Sequence, residues 1–350
     1  MKLYAAEVAN GLRPYVIAEL GSNHNGDMEL ARRLIDAAKR AGADCVKFQS
    51  WTKDTIFARE VYEKNFFLRD DYRNRTDYTL ERIVEKFSMS ERELLEMRDA
   101  CRRVGIDFAS TPFSKREVDF LVGELEAGFV KVASMDLNNY PFLDYIARKG
   151  RTVVLSTGLG TLEEIDRAVR TIEEAGNRSI VLLHCVSSYP PEDRLVNLRN
   201  MDMLRDNYPG YPVGFSDHTL GTLVPTAAIA RGAAVIEKHF TLDKSMFGWD
   251  HKVSADEEEL KAIVEAARRI PEVMGSYRRE LSDADRERIP EFRRSVVAAR
   301  DIRSGERLRP EDLDVKRPGT GFPPESVGWL VGRTAMRDIP RDRVLGPEDI

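Results

Sequence analysis

Short apolar runs alternate with amphipathic stretches through most of this chain. The runs cover 15–20, 43–49, 106–110, 128–133, 152–156, 179–185, 213–216 and 234–239. Each is rich in Val, Ile, Leu or Phe and too short for a core helix, so each is expected to form a strand. Between them, MELARRLIDAAKRAG (28–42) repeats apolar residues at helical spacing and ends in Gly, a helix-stop signal. TLEEIDRAVRTIEEAG (161–176) has the same design, with Thr161 as N-cap and Glu164 completing a capping box. Strictly alternating strand and helix signals mark a parallel α/β fold. Eight strands, their crossovers and a closing helix over 256–273 predict a TIM (β/α)8 barrel spanning 1–275. A doubly wound sheet is the alternative, and the strand count favours the barrel. The segment 50–90 breaks the rhythm, being long, aromatic and charged, and is expected to be a lid or binding element.

The pattern changes beyond the closing helix. Residues 276–294 are highly charged and hold one proline, and read as an inter-domain linker. In 295–350, ARDIRSGERLRPEDL (299–313) recurs as MRDIPRDRVLGPEDI (336–350), at a constant offset without a gap. This self-similarity predicts a small, pseudo-symmetric, mostly β domain.

Composition narrows the function classes. The net charge is -5, from 54 basic and 59 acidic residues that are well mixed, which argues against a nucleic-acid surface. No apolar run is long enough to span a bilayer and no signal peptide is visible, so no membrane association and a cytoplasmic location are expected. Cys45, Cys101 and Cys185 form no CxxC pair; core packing is the expected role of Cys45 and Cys185.

The chemistry gathers at strand ends. All five histidines, His24, His184, His218, His239 and His251, lie at or just beyond the ends of apolar runs. In a barrel those ends share one rim, where active sites are built. His218 (GFSDHT) and His239 (EKHF) follow adjacent strands, so one divalent ion could reach both, with open positions left for a substrate oxygen. Lys47 and Lys131 interrupt otherwise apolar strands. A buried ammonium needs either a carboxylate partner, such as Glu19 or Glu237, or an anionic ligand. The hydroxyls of Ser110, Thr111, Ser134, Ser156, Thr157 and Ser216 also end strands and could complete an anion cradle. A single strand-end lysine would suit a Schiff-base aldolase equally well. Two lysines with hydroxyls and a histidine pair fit anion binding plus a metal better. Glu19, Asp136 and Asp250 are rim carboxylates able to cap loops, bind sugar hydroxyls or handle protons.

The segments AELGSNHNG (18–26), VKFQ (46–49), STPF (110–113), KVAS (131–134), NNYP (138–141), LSTG (155–158), LLHC (182–185), SDHT (216–219), EKHF (237–240) and KRPG (316–319) occur in one order along the chain. With them the chain resembles the sialic acid synthase family, including legionaminic and pseudaminic acid synthases. That family is a TIM barrel with a C-terminal SAF, or antifreeze-like, domain. The resemblance implies condensation of phosphoenolpyruvate with an acetamido sugar, N-acetylmannosamine or a 6-deoxy di-N-acetyl hexose, giving a nine-carbon 2-keto acid and phosphate. It implies Mn2+ or Mg2+ held by His218 and His239, with Glu19 as an active-site carboxylate. The phosphoenolpyruvate site maps onto Lys47, Thr111, Lys131, Ser134, Ser156 and Ser216. Gln49, Asp136, Ser187, Tyr189 and Asp250 fall at substrate-side positions. Arg317 matches an arginine that enters the partner's site, which implies a domain-swapped homodimer.

Three departures bear on the acceptor. The family pattern after Lys131 is SGE, and this chain has SMD (134–136). Ser187 replaces an asparagine, and the MPGPDH loop reads MFGWDH (246–251). The changes imply an altered acceptor, with His251 and the bulky Phe247 and Trp249 near the sugar end. The competing readings are another phosphoenolpyruvate–aldose condensing barrel, which would need a second phosphate site, and a non-catalytic sugar-binding barrel.

Overall fold

The structure, a computed structural model, describes residues 1–65 and 79–350. It divides into two compact units, Met1–Gly275 and Ser276–Ile350.

In the first unit the eight apolar runs are eight parallel strands: β1 (Tyr15–Gly21), β2 (Cys45–Ser50), β3 (Asp107–Pro112), β4 (Phe129–Val132), β5 (Thr152–Ser156), β6 (Ile180–Cys185), β7 (Val213–Asp217) and β8 (Val235–His239). Their order is β3-β2-β1-β8-β7-β6-β5-β4, and the end strands β3 and β4 lie side by side, so the sheet curls into a barrel. Helices sit between successive strands, and their ends carry the signals read from the sequence. Asp27 caps Met28–Ala41, which stops at Gly42 in the left-handed region with φ of 89°. Thr161 and Glu164 form the capping box of Leu162–Glu174. No helix among the described residues is long and apolar enough to cross a membrane.

Strand side chains alternate between two environments because successive residues point to opposite faces. Outward residues such as Val16, Val46, Val130, Leu155 and Ile236 pack under the helices. Inward residues divide by height. Tyr15, Ile17, Cys45, Ala109, Phe129, Val154, Val181, Leu183 and Val235 fill the lower barrel, closed beneath by Leu3 and Val8 of the N-terminal segment. One step further along the same strands the inward positions become Glu19, Lys47, Thr111, Lys131, Ser156, Ser216 and Glu237, all buried. The lower layer is an apolar plug and the upper layer is a polar floor.

Gly214 shows how tightly the plug is packed. A Cβ there would lie 2.4 Å from the Val235 carbonyl oxygen and 2.7 Å from Leu183 Cδ2. Backbone cannot retreat as a flexible side chain can. Gly214→Ala is therefore expected to destabilise the barrel by about 1–3 kcal/mol, read as a lower urea midpoint.

Within the stretch 50–90 the described residues form short helices, Lys53–Ile56, Arg59–Lys64 and Leu80–Phe87. The remainder of that expected lid lies outside the described residues. Trp51, Leu80, Ile83, Val84 and Phe87 make a separate buried cluster, with Phe247 and Trp249 packed against it.

In the second unit β9 (Ser295–Ala298) pairs antiparallel with β10 (Leu313–Lys316), and isolated bridges such as Ile302–Ile339 complete a small β framework. The internal repeat is physical. Arg300 bonds Asp312 at 2.7 Å, and Arg337 bonds Asp349 at 2.6 Å, each equivalent pair 37 residues apart. Each aspartate is buried and also accepts a backbone N–H, from Arg309 and Gly346 respectively. The expected linker 276–294 holds a helix, Asp283–Phe292. Ser282 and Asp285 form its capping box, a local signal that the high charge of the stretch obscured.

Candidate active site

Above the polar floor lies a cavity of about 580 Å³ built wholly from the first unit. Glu19, Lys47, Gln49, Thr111, Lys131, Ser134, Ser156, Ser187, Tyr189, Ser216, His218, His239 and Asp250 all line it. These residues come from all eight strands or the loops that follow them.

The floor is a network of buried charges. Lys47 Nζ donates to Thr111 Oγ1 at 2.9 Å, pairs with Glu19, and lies 3.6 Å from Glu237 Oε2. Lys131 Nζ donates to Ser156 Oγ at 2.7 Å and to the Val132 carbonyl at 2.9 Å, with Glu237 Oε1 at 3.9 Å. Ser216 Oγ donates to Glu237 Oε1 at 2.9 Å. Burial opposes the Lys47 charge, but Glu19 and Glu237 outweigh it and hold the ammonium above its usual range. Lys131 moves the other way, because its burial outweighs the attraction of Glu237. Burial pushes the Glu19 carboxyl up to about 7, with Lys47 opposing and Glu237 adding. Burial opposes the Glu237 charge, but Lys131 and Lys47 outweigh it and hold that carboxyl below its usual range, whereas Glu19 is partly protonated near neutral pH. The two lysine nitrogens and the neighbouring hydroxyls together offer hydrogen-bond donors to an anion.

Gln49 is fixed in orientation. Its Nε2 donates to Glu19 Oε1 at 3.1 Å, and its Oε1 accepts from Trp51 Nε1 at 3.1 Å. The apolar wall of the cavity comes from Ile56, Phe57, Phe113, Met135, Leu159 and Trp249.

His218 and His239 stand side by side with ring centroids 5.4 Å apart. Tyr189 stacks on His218 at 4.0 Å. His218 Nδ1 lies 2.8 Å from the Val186 carbonyl. A ring nitrogen facing a carbonyl carries a proton, so Nε2 is the nitrogen with the lone pair when the ring is neutral. His239 Nδ1 is buried without a hydrogen-bond partner, with Asp250 Oδ2 at 3.8 Å. Burial first, and the neighbouring His218 second, hold His239 neutral. Burial opposes the His218 charge, but Cys185 and the Val186 carbonyl outweigh it and move that ring above its usual range. Two imidazoles on one cavity wall, each able to offer a ring nitrogen when neutral, fit a divalent cation. Among the described residues no group of three or more His, Cys, Asp or Glu is arranged to hold a metal. The imidazole pair would therefore leave most coordination positions to water or substrate.

The structure places several of these residues elsewhere than the sequence suggests. Asp136 does not line the cavity. It lies in the short helical turn Ser134–Asp136, where Ser134 and Met135 take the cavity-lining positions and Asp136 accepts from Asn139 Nδ2 at 3.0 Å. His251 is fully buried outside the cavity, with Nδ1 at 2.7 Å from Thr241 Oγ1 and Nε2 at 3.2 Å from Asn25 Oδ1. Trp249 lines the cavity but Phe247 does not. Cys185, expected in the core, lines the cavity 3.9 Å from His218 Nδ1. Glu237 was expected only as a possible lysine partner, yet it touches both halves of the floor. Its signal was the alternation in EKHF, which places Glu237 on the face of His239. Arg317 belongs to the second unit, where it is exposed and lies over the Phe292 ring at 5.1 Å.

Comparison with known proteins gives this arrangement a lineage. Residues 34–279 match the NeuB family, and residues 293–350 match the SAF domain. The chain is 39% identical to an uncharacterized protein of Methanocaldococcus jannaschii, over 98% of this chain and 96% of that protein. It is 39% identical to an N,N'-diacetyllegionaminic acid synthase of Legionella pneumophila, over 92% of each. Among solved structures it is similar to an N-acetylneuraminic acid synthetase from Leptospira borgpetersenii crystallised with citrate. The identity is 31% and the TM-score 0.73, covering 83% of this chain and 94% of that one. A barrel with this rim, followed by this small β unit, thus belongs to the NeuB family of sialic acid synthase-type enzymes with a C-terminal SAF domain.

Proposed function

We propose that this chain condenses phosphoenolpyruvate with the open-chain aldehyde of an acetamido sugar, releasing phosphate and a nine-carbon 2-keto acid. The observation that carries this reading is the polar floor. Two buried lysines flanked by strand-end hydroxyls suit a small, multiply charged anion, and the relatives named above are synthases of such acids.

Lys47 and Lys131 bind the anion's carboxylate and phosphate, and Thr111, Ser134, Ser156 and Ser216 orient them. Carbon 3 of the bound enol ester then faces the acceptor carbonyl at the histidine end of the cavity. Bond formation there turns the carbonyl oxygen into an alcohol and leaves a cation at carbon 2. Water adds at carbon 2, and phosphate departs with cleavage of its bond to carbon. Glu19 is the carboxyl suited to hold or move a proton at neutral pH, and Gln49 fixes its Oε1. His218 and His239 would hold Mn2+ or Mg2+, which when bound supplies Lewis-acid polarisation of a carbonyl oxygen. Asp250, raised to about 6 by burial, and Tyr189 stand at the same end.

The apolar wall of Ile56, Phe57, Phe113, Met135 and Trp249 supports an acceptor rich in methyl groups, as in a 6-deoxy di-N-acetyl hexose. Mass spectrometry of a reaction with MnCl2, phosphoenolpyruvate and candidate acetamido sugars tests the reading. The expected product has the summed mass of both substrates plus water less phosphoric acid. Recovery of both substrates unchanged with every sugar contradicts it.

The same reading includes a homodimer in which the partner's Arg317 completes the acceptor site, consistent with the exposure of that side chain. Arg317→Ala is expected to raise KM for the sugar about tenfold or more with KM for phosphoenolpyruvate little changed, the size of one lost charge-assisted hydrogen bond. Unchanged sugar kinetics count against the swap.

A further inference from the structure

Directly behind the two histidines lies an ion pair that the chemistry above does not use. Asp217 precedes His218, and Lys238 precedes His239. The two residues are register partners on β7 and β8. They face outward, away from the cavity, and their side chains are 0% exposed. Lys238 Nζ donates to Asp217 Oδ2 at 2.8 Å and also to the Thr219 carbonyl. Asp217 Oδ1 accepts from the Thr219 N–H at 2.9 Å.

Burying two charges is costly, and an apolar pair of similar volume is often as stable or more so. The geometry shows what the charges hold here. Both backbone polar groups of Thr219 are tied to the pair, so the turn that carries His218 is fastened to β8 one residue before His239. Alternation along the two strands then sends both imidazoles into the cavity. Resting on the two-histidine reading above, we infer that Asp217 and Lys238 are positioning residues. They fix the spacing of His218 and His239 for a divalent cation without touching it. The burial and pairing of Lys238 also argue against it as a carbonyl-attacking amine, since its nitrogen is held by Asp217 and Thr219 and does not line the cavity.

The experiment removes the pair without stranding a charge. Asp217→Leu with Lys238→Met replaces both by apolar groups. Asp217→Asn with Lys238→Met removes both charges but keeps an oxygen able to accept from the Thr219 N–H. Each protein is stripped with EDTA and titrated calorimetrically with MnCl2, and Tm is measured in parallel. The Leu–Met variant is expected to fold with a Tm near the parent's and to bind Mn2+ about 10- to 100-fold more weakly, the usual effect of losing a partner that orients metal ligands. The Asn–Met variant is expected to lose less. Should the Leu–Met variant fail to fold, the Asn–Met variant decides the matter. A changed Tm with parental Mn2+ affinity would show a structural role only and overturn the inference. A parent protein that itself binds no Mn2+ overturns the two-histidine reading, and this inference with it.

Discussion

Lys47→Met is expected to lower kcat/KM for phosphoenolpyruvate by about 10²- to 10³-fold, the range for removing a buried, hydrogen-bonded charge from a charged pair. Three contacts converge on this nitrogen: Glu19, Thr111 Oγ1 and, at 3.6 Å, Glu237 Oε2. Met matches the length of the stem but donates nothing. The fold should survive, because Glu19 can take a proton in place of its lost partner. Its carboxyl is already pushed up to about 7 by burial, with Lys47 the main opposing influence. Removing Lys47 raises it further. A carboxyl whose folded value exceeds its unfolded one adds stability at low pH and loses that contribution as pH rises through the folded value. The variant should therefore approach the parent's Tm on the acid side and fall behind it as pH climbs above 7. An unchanged kcat/KM would show that the anion does not sit on this floor.

His239→Ala is expected to abolish tight Mn2+ binding and to lower turnover about 10³-fold, the several kcal/mol that a Lewis acid contributes to such a reaction. Of the two histidines this one gives the cleaner test. His239 Nδ1 has no hydrogen-bond partner, so its removal strands no buried donor or acceptor. His218 lies at hydrogen-bond distance from the Val186 carbonyl, and truncating it would leave that oxygen unpaired. Full activity of EDTA-treated His239→Ala would remove the metal from the account.

The barrel was legible because its strands are apolar on both faces and its helices carry explicit caps. Of the polar positions in these strands and at their ends, Lys47, Lys131, His218 and His239 face inward at the upper layer, whereas Asp217 and Lys238 face outward. Less legible were residues whose role depends on which way a loop turns. Asp136 and Met135 differ by one position in a short turn, and no periodicity says which of them faces the cavity. The Asp217–Lys238 pair was hidden for a related reason. Each residue adjoins a histidine that drew attention first, and only strand register shows that the two meet. The cavity contribution of Ile56 and Phe57 comes from a segment with no regular pattern, so its apolar wall could not be assembled from sequence. The repeat in the SAF unit was visible as words, and the paired Arg–Asp contacts supply its physical meaning.

Phosphate release from phosphoenolpyruvate tests the central claim most directly. Purified protein with MnCl2 is offered phosphoenolpyruvate alone, then with N-acetylmannosamine and with 6-deoxy di-N-acetyl hexoses. The account predicts release only when an acceptor is present, in step with consumption of that sugar. Release that is independent of every sugar, or no release with any of them, would contradict it.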